Sequence, residues 1–121
     1  MAVLLDTHVV LELLDSDEVV APWGRQPVFV SVAALWEIAI KVRQGKLEIG
    51  MPVRDVEEGL VGLRCAIVPV SSAHAVAEVD PWPETNDPFD RLLLAVCEVE
   101  GLRLVTRDRK LIGHPLAWRA A

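Results

Sequence analysis

The sequence predicts an α/β protein with three layers, α/β/α, built on a central, mainly parallel sheet of four to five strands. Three observations carry that expectation. Short apolar runs suited to buried strands alternate with longer stretches of helical spacing along the whole chain. The apolar period switches from strand-like to helix-like just after Asp6. At 121 residues, with no internal repeat, low-complexity segment or linker, the chain has the size of one domain, residues 1–121, covered on both sheet faces.

Taken in order, "AVLLD" (2–6) is a short apolar run that ends in a polar residue, as a buried strand does. "THVVLELLD" (7–15) spaces Val9, Val10, Leu13 and Leu14 as a helix. Residues 15–27 hold turn formers and room for a short helix closed by Pro22 and Gly24, and "VFV" (28–30) is the second strand. Ser31 is an N-cap for the helix "VAALWEIAIKVRQG", whose apolar face is Leu35, Ile38, Ala39 and Val42 and whose stop is Gly45. A helix over 52–64 starts near Pro52 and is weakened by Gly59 and Gly62. A third strand over 65–70 and a Ser-capped helix over 71–79 follow, then a loop over 80–86 set by two prolines and Asn-Asp. The apolar block 92–97 belongs to a helix ended by Gly101, "LRLVT" (102–106) is the fourth strand, and the tail holds one or two helical turns at most.

Composition narrows the class. Hydrophobic residues make up 52% and charged residues 25%, the balance of a globular chain rather than a disordered one. Tyrosine is absent and phenylalanine occurs twice, so aliphatic residues fill the core, helped by four tryptophans. Trp23 and Trp82 are expected at the surface and Trp36 in packing. No apolar run is long enough for a bilayer, and "MAVLLDTH" lacks the basic start of a signal peptide. Cys65 and Cys97 have no metal or redox spacing, which points to two reduced, buried thiols and a cytoplasmic protein. The net charge of −6 argues against a general nucleic-acid coat, although Lys41, Arg43 and Lys46, and Arg103, Arg107, Arg109 and Lys110, form local basic clusters.

The acids raise the functional question. Asp6 ends the first strand and Asp108 lies just past the fourth, so a parallel sheet would put both at its carboxyl edge, where such folds bind ligands. A helix that precedes a strand begins near the same edge, which would bring in Asp90, and Glu37 lies on the near half of the helix after the second strand. Each acid also has a structural explanation. Asp6 or Asp87 could cap a helix, Asp90 could complement a helix dipole, and Glu37 could pair with Lys41 at four-residue spacing. Clustered carboxylates without a cation would repel one another, and a hard divalent cation with oxygen ligands would resolve the conflict. His8, His74 and His114 are isolated and give no zinc spacing. From spacing alone, both readings stand.

Four blocks then decide a family resemblance: "LLDTHVVLELL" (4–14), "VSVAALWEIAIKVRQGKL" (30–47), "DPFDRLLLA" (87–95) and "GLRLVTRD" (101–108). In this order and spacing the chain resembles the PIN domain, specifically the VapC-type toxin ribonucleases of bacterial toxin–antitoxin modules. The resemblance covers nearly the whole chain. It implies that Asp6, Glu37, Asp90 and Asp108 bind Mg²⁺ or Mn²⁺, with Thr106 supporting the last acid and Thr7 the small polar residue after the first. It favours Asp90 over Asp87 as the site acid, because the family's acid directly precedes the apolar helical run, and leaves Asp87 as the N-cap. The implied reaction is metal-dependent hydrolysis of an RNA phosphodiester by water, with 5′-phosphate and 3′-hydroxyl ends. Lys41, Arg43, Arg91, Arg107 and Arg109 are candidate phosphate contacts. A VapB-type antitoxin that inserts a basic side chain among the acids, and a homodimer, are implied as well. The rival on the same fold is a non-catalytic RNA-binding or antitoxin-docking module. A receiver domain would need an acid after the third strand, which ends "VPVSS", and a haloacid-dehalogenase-type phosphatase would need an aspartate where His8 stands.

Overall fold

The computed structural model describes residues 1–16 and 21–120. Strand β1 is Val3–Leu5 and passes at Asp6 into helix α1, Thr7–Asp15. Strand β2, Val28–Ser31, runs without a gap into α2, Val32–Arg43. Helix α3 is Val56–Gly62, strand β3 Cys65–Val68 and helix α4 Ser72–Val76. Helix α5, Pro88–Glu100, leads through Gly101 to strand β4, Arg103–Val105. The short helix anticipated within 15–27 falls partly on 17–20, outside the described residues; residues 22–25 form a turn.

The sheet has four strands, all parallel, in the order β3-β2-β1-β4. Both central strands alternate between two apolar cores. Val3 and Leu5 of β1 belong to one, with Val9, Val10, Val30, Ala34, Ile38 and Leu60, while Leu4 belongs to the other. The second core is built mainly from α5, through Leu93, Leu94, Val96 and Cys97, with Leu104 and Leu111. Side chains that point alternately to the two faces of a strand make this split inevitable once helices cover both faces.

Local chemistry sets the element ends. Ser31 accepts the Ala33 N–H through Oγ at 3.0 Å and so caps α2 while still paired in β2. Ser71 and His74 form a reciprocal cap at the start of α4, with His74 Nδ1 accepting the Ser71 N–H. Gly101, at φ 70°, ends α5 in a left-handed turn that a Cβ would strain. The helix anticipated over 52–64 opens with a 3₁₀ turn, Val53–Asp55, before α3. Strand β3 stops at Val68, because Pro69 has no N–H for the ladder. The tail is not helical. It makes hydrogen-bonded turns in which Asp108 O accepts from Leu111 N and Ile112 N, then returns along β4, where Leu104 N–H donates to Leu116 O and Trp118 N–H to Leu104 O, each at 2.8 Å. That return covers an exposed edge strand.

Two tryptophan expectations are corrected. Trp23 is buried, 6% exposed, against the first core, because the 22–25 turn folds it inward. Trp36 is 62% exposed, because Glu37 and Ile38 take the inward positions of α2. Trp82 is exposed as expected, and Trp118 packs half-buried on the first core. Cys65 and Cys97 are free, buried thiols in different cores, and burial pushes the Cys97 thiol up to about 12. Among the described residues, no helix is long and apolar enough to cross a membrane.

The core carries a direct test. Leu94 is fully buried beside β4, so Leu94→Ala lowers the unfolding free energy by about 2–5 kcal/mol. Val76→Ser, at a position 76% exposed, stays within about 0.5 kcal/mol. Urea denaturation midpoints at constant m-value measure both.

Candidate active site

The carboxyl edge of the sheet collects acids from four separate segments. Parallel pairing of β1 with β4 sets Leu5 opposite Val105, and the Asp6 N–H extends the ladder by donating to Val105 O at 3.0 Å. Asp6, only 3% exposed, then does two jobs. Its Oδ1 accepts the His8 N–H at 3.0 Å and caps α1, while Oδ2 accepts the Thr106 hydroxyl at 2.5 Å. Thr106 Oγ1 also accepts the Asp108 N–H at 3.1 Å. One hydroxyl thus fixes the first acid and the backbone of the last. A cavity of about 330 Å³ lies here, lined by Asp6, His8, Glu12, Arg107 and Asp108.

Glu37 reaches the same edge from α2. It is 6% exposed, accepts the Thr7 hydroxyl through Oε1 and pairs with Lys41 Nζ through Oε2, both at 2.7 Å. The four-residue spacing does give an ion pair, but with its carboxylate buried and only the lysine partly exposed. Thr7, next in sequence to Asp6, ties Glu37 to the first acid.

Asp87 and Asp90 divide two roles at the start of α5. Asp87 Oδ1 accepts the Phe89 N–H at 2.8 Å, with Pro88 in the first helical position. Asp90, half-buried three residues on, accepts the hydroxyl of Thr85 at 3.2 Å through Oδ2. Its carboxyl is pushed up from near 3.8 to about 6, chiefly by burial and then by the charges of Asp87 and Asp6, with Asp108 adding to them and Thr85 opposing. The Lys41 ammonium is held above its ordinary range, first by its bond to Glu37, with the charges of Glu37, Asp87 and Asp90 adding and burial opposing. Asp6, Asp90 and Asp108 therefore share one field, and Glu37 joins it through Thr7 and Lys41.

The remaining basic candidates are differently placed. Arg91 donates from Nε to Thr85 O at 2.9 Å and lies over the Trp82 ring, 4.5 Å from its centroid. Arg107 pairs with Glu12 at 2.5 Å, and Arg43 and Arg109 are exposed. Sequence reasoning missed Thr85. It is 2% exposed and supports Asp90, yet nothing marks one hydroxyl in a loop read only from its prolines.

Among the described residues, no three carboxylate, imidazole or thiol side chains converge on one ligating point. Each acid turns instead to its own partner: Asp6 to Thr106, Asp90 to Thr85, Glu37 to Thr7 and Lys41, and Asp108 to the Lys110 N–H. The donor chemistry still fits a hard divalent cation. The donors are all oxygens, and the repulsion among them, which adds to burial in raising the Asp90 carboxyl, is what such a cation relieves. Closing a ligand set would require the carboxylates to rotate.

The family model of the PIN domain matches residues 3–114. The chain belongs to the PIN-domain family. It is 32% identical over 120 residues to Ribonuclease VapC22 of Mycobacterium tuberculosis, spanning 93% of this chain and 91% of that protein. Among solved structures it is similar to VapBC2 from Rickettsia felis bound to a DNA fragment from their promoter, with a TM-score of 0.56 and 16% identity over 97% of this chain and 96% of that one. This last likeness concerns the PIN fold: the parallel sheet and its flanking helices.

Two outcomes follow from the acids of this PIN domain. In chelator, the contribution of Asp90 to stability falls as pH rises from about 4 to about 6 and then levels. The native Asp90 carboxyl holds its proton to a higher pH than the unfolded one, so ionisation opposes folding. Asp90→Asn lacks that fall in a pH series of thermal melts and is the more stable protein at neutral pH. Asp87→Asn keeps the α5 cap, whereas Asp87→Ala costs about 1 kcal/mol by urea denaturation.

Proposed function

We propose that this PIN-domain protein is a metal-dependent endoribonuclease, the toxin of a type II toxin–antitoxin pair. One observation carries the reading: Asp6, Glu37, Asp90 and Asp108 gather at the carboxyl edge of a parallel sheet, each held by a hydroxyl or a neighbouring backbone group. The similarity to Ribonuclease VapC22 along nearly the whole chain supports ribonuclease chemistry, and the fold shared with VapBC2 supports a VapB-type antitoxin as partner.

Asp6, Glu37, Asp90 and Asp108 would hold Mg²⁺ or Mn²⁺. Such an ion, when bound, supplies Lewis acidity and offsets charge that develops on the phosphoryl oxygens. The chain's own groups prepare the site. Thr106 and the His8 N–H fix both oxygens of Asp6. Lys41 balances Glu37, which would otherwise be a buried, unpaired charge. Near neutral pH a carboxyl with a pKa of about 6 is already mostly ionised and open to an approaching cation. Lys41, Arg43, Arg91, Arg107 and Arg109 supply positive charge for the RNA backbone around an otherwise acidic crevice. A homodimer in the cytoplasm, with an antitoxin side chain entering among the acids, completes the reading.

Cleavage of a labelled structured RNA pool tests it, with Mg²⁺ or Mn²⁺ and with chelator. The full chain without antitoxin cuts only with metal and leaves 5′-phosphate and 3′-hydroxyl ends. Asp6→Asn and Asp90→Asn each lose about a hundredfold or more in rate while remaining folded. A folded, metal-loaded wild type that binds RNA independently of these acids and never cuts it would instead be a non-catalytic binding module.

A further inference from the structure

Two of the proposed site acids directly follow an aromatic residue, and those two aromatics meet outside the core. Trp36 precedes Glu37 on α2, and Phe89 precedes Asp90 on α5. Their ring centroids lie 5.6 Å apart with planes at 66°, an edge-to-face contact between two helices. Trp36 nonetheless keeps 62% of its surface exposed, in a protein whose core is almost wholly aliphatic. Adjacent Cα atoms are about 3.8 Å apart, and successive helical side chains diverge by about 100°. The pair therefore stands beside the acids as a wall and does not cover them. The T-shaped contact holds the indole still and leaves aromatic surface open, at little further entropic cost to a stacking ligand.

The surrounding charge selects the ligand. Lys41, paired with Glu37, lies close enough to Asp87 and Asp90 to feel both charges. An exposed aromatic pair on the two helices that carry Glu37, Lys41 and Asp90, next to the proposed phosphodiester-cleaving centre, matches a nucleotide, its base stacked on the rings and its phosphate drawn to the Lys41 ammonium.

We infer that Trp36 and Phe89 form a stacking wall for one nucleobase of the RNA strand being cut, fixing the strand's register and the base preferred beside the scissile bond. The strand's identity rests on the nuclease reading above. Binding is measured in the Asp90→Asn background by anisotropy of labelled single-stranded oligonucleotides A₈, U₈, C₈ and an abasic octamer, so cleavage plays no part. Purine octamers bind more tightly than abasic ones, W36A and W36L weaken A₈ binding about tenfold, and W36F stays within about twofold. Phe89→Leu, on the other helix, weakens A₈ in the same direction. In the cleaving protein, W36L raises KM, flattens base preference at the cut, and is rescued by W36F. Base-independent binding that W36A leaves unchanged overturns the inference. So does a loss confined to antitoxin affinity, which would make the pair a protein-docking surface. Asp90-dependent cleavage with Trp36-independent binding defeats the wall alone. Trp36-dependent binding by a chain that never cuts defeats the nuclease reading and leaves the wall standing.

Discussion

The parallel pairing of β1 with β4 is the constraint on which the rest of the molecule depends. Three residues near the N-terminus, Val3, Leu4 and Leu5, meet a strand a hundred residues later, with Leu5 opposite Val105. That register puts Asp6 and Thr106 side by side just beyond the ladder, where a hydroxyl joins them. Long-range parallel contacts close large loops and so depend on the two apolar cores formed at the same time. Leu4, Leu5, Leu104 and Val105 supply that burial from the paired strands themselves. A shift of one residue would exchange the two faces of β1, burying different side chains and separating Asp6 from Thr106.

Charge crowding is the second organising force, and it is handled locally. Asp6 takes a helix N-terminus and a hydroxyl, Glu37 an ammonium and a hydroxyl, and Asp90 a hydroxyl. These partners let buried carboxylates coexist without leaving a buried side-chain donor or acceptor unpartnered among the described residues. Burial, and then the charges of Asp87 and Asp6, hold the proton of Asp90 against the single hydroxyl that supports it. The same arrangement keeps the acids within one field but aimed apart, so preorganisation is electrostatic first and geometric second.

Aromatic placement follows a different rule from aliphatic placement. Leucine and valine fill both cores, whereas Trp36 and Trp82 stand in solvent, each with one partner that fixes its ring, Phe89 or Arg91. The 80–86 loop that carries Trp82 is anchored beneath it, by buried Pro83 and Thr85 and by His114 Nε2 on the Pro81 carbonyl at 2.8 Å. Exposure at an anchored position is a property of the fold and not of a loose segment.

The sequence by itself determined the element order, most boundaries and the types of donor. Periodicity and punctuation by Ser31, Pro69, Asp87 and Gly101 are local signals, and local hydrogen bonding obeyed them. The capping role of Asp87 was legible for the same reason, through the capping chemistry of Asp-Pro. Only the tertiary structure decided strand order, and with it the meeting of Asp6, Thr106 and Asp108. It also buried Trp23, turned Trp36 outward, made the tail an edge cover and gave Asp90 its partner in Thr85. Those outcomes depend on which surfaces pack together across the chain, and no window of neighbouring residues contains that information.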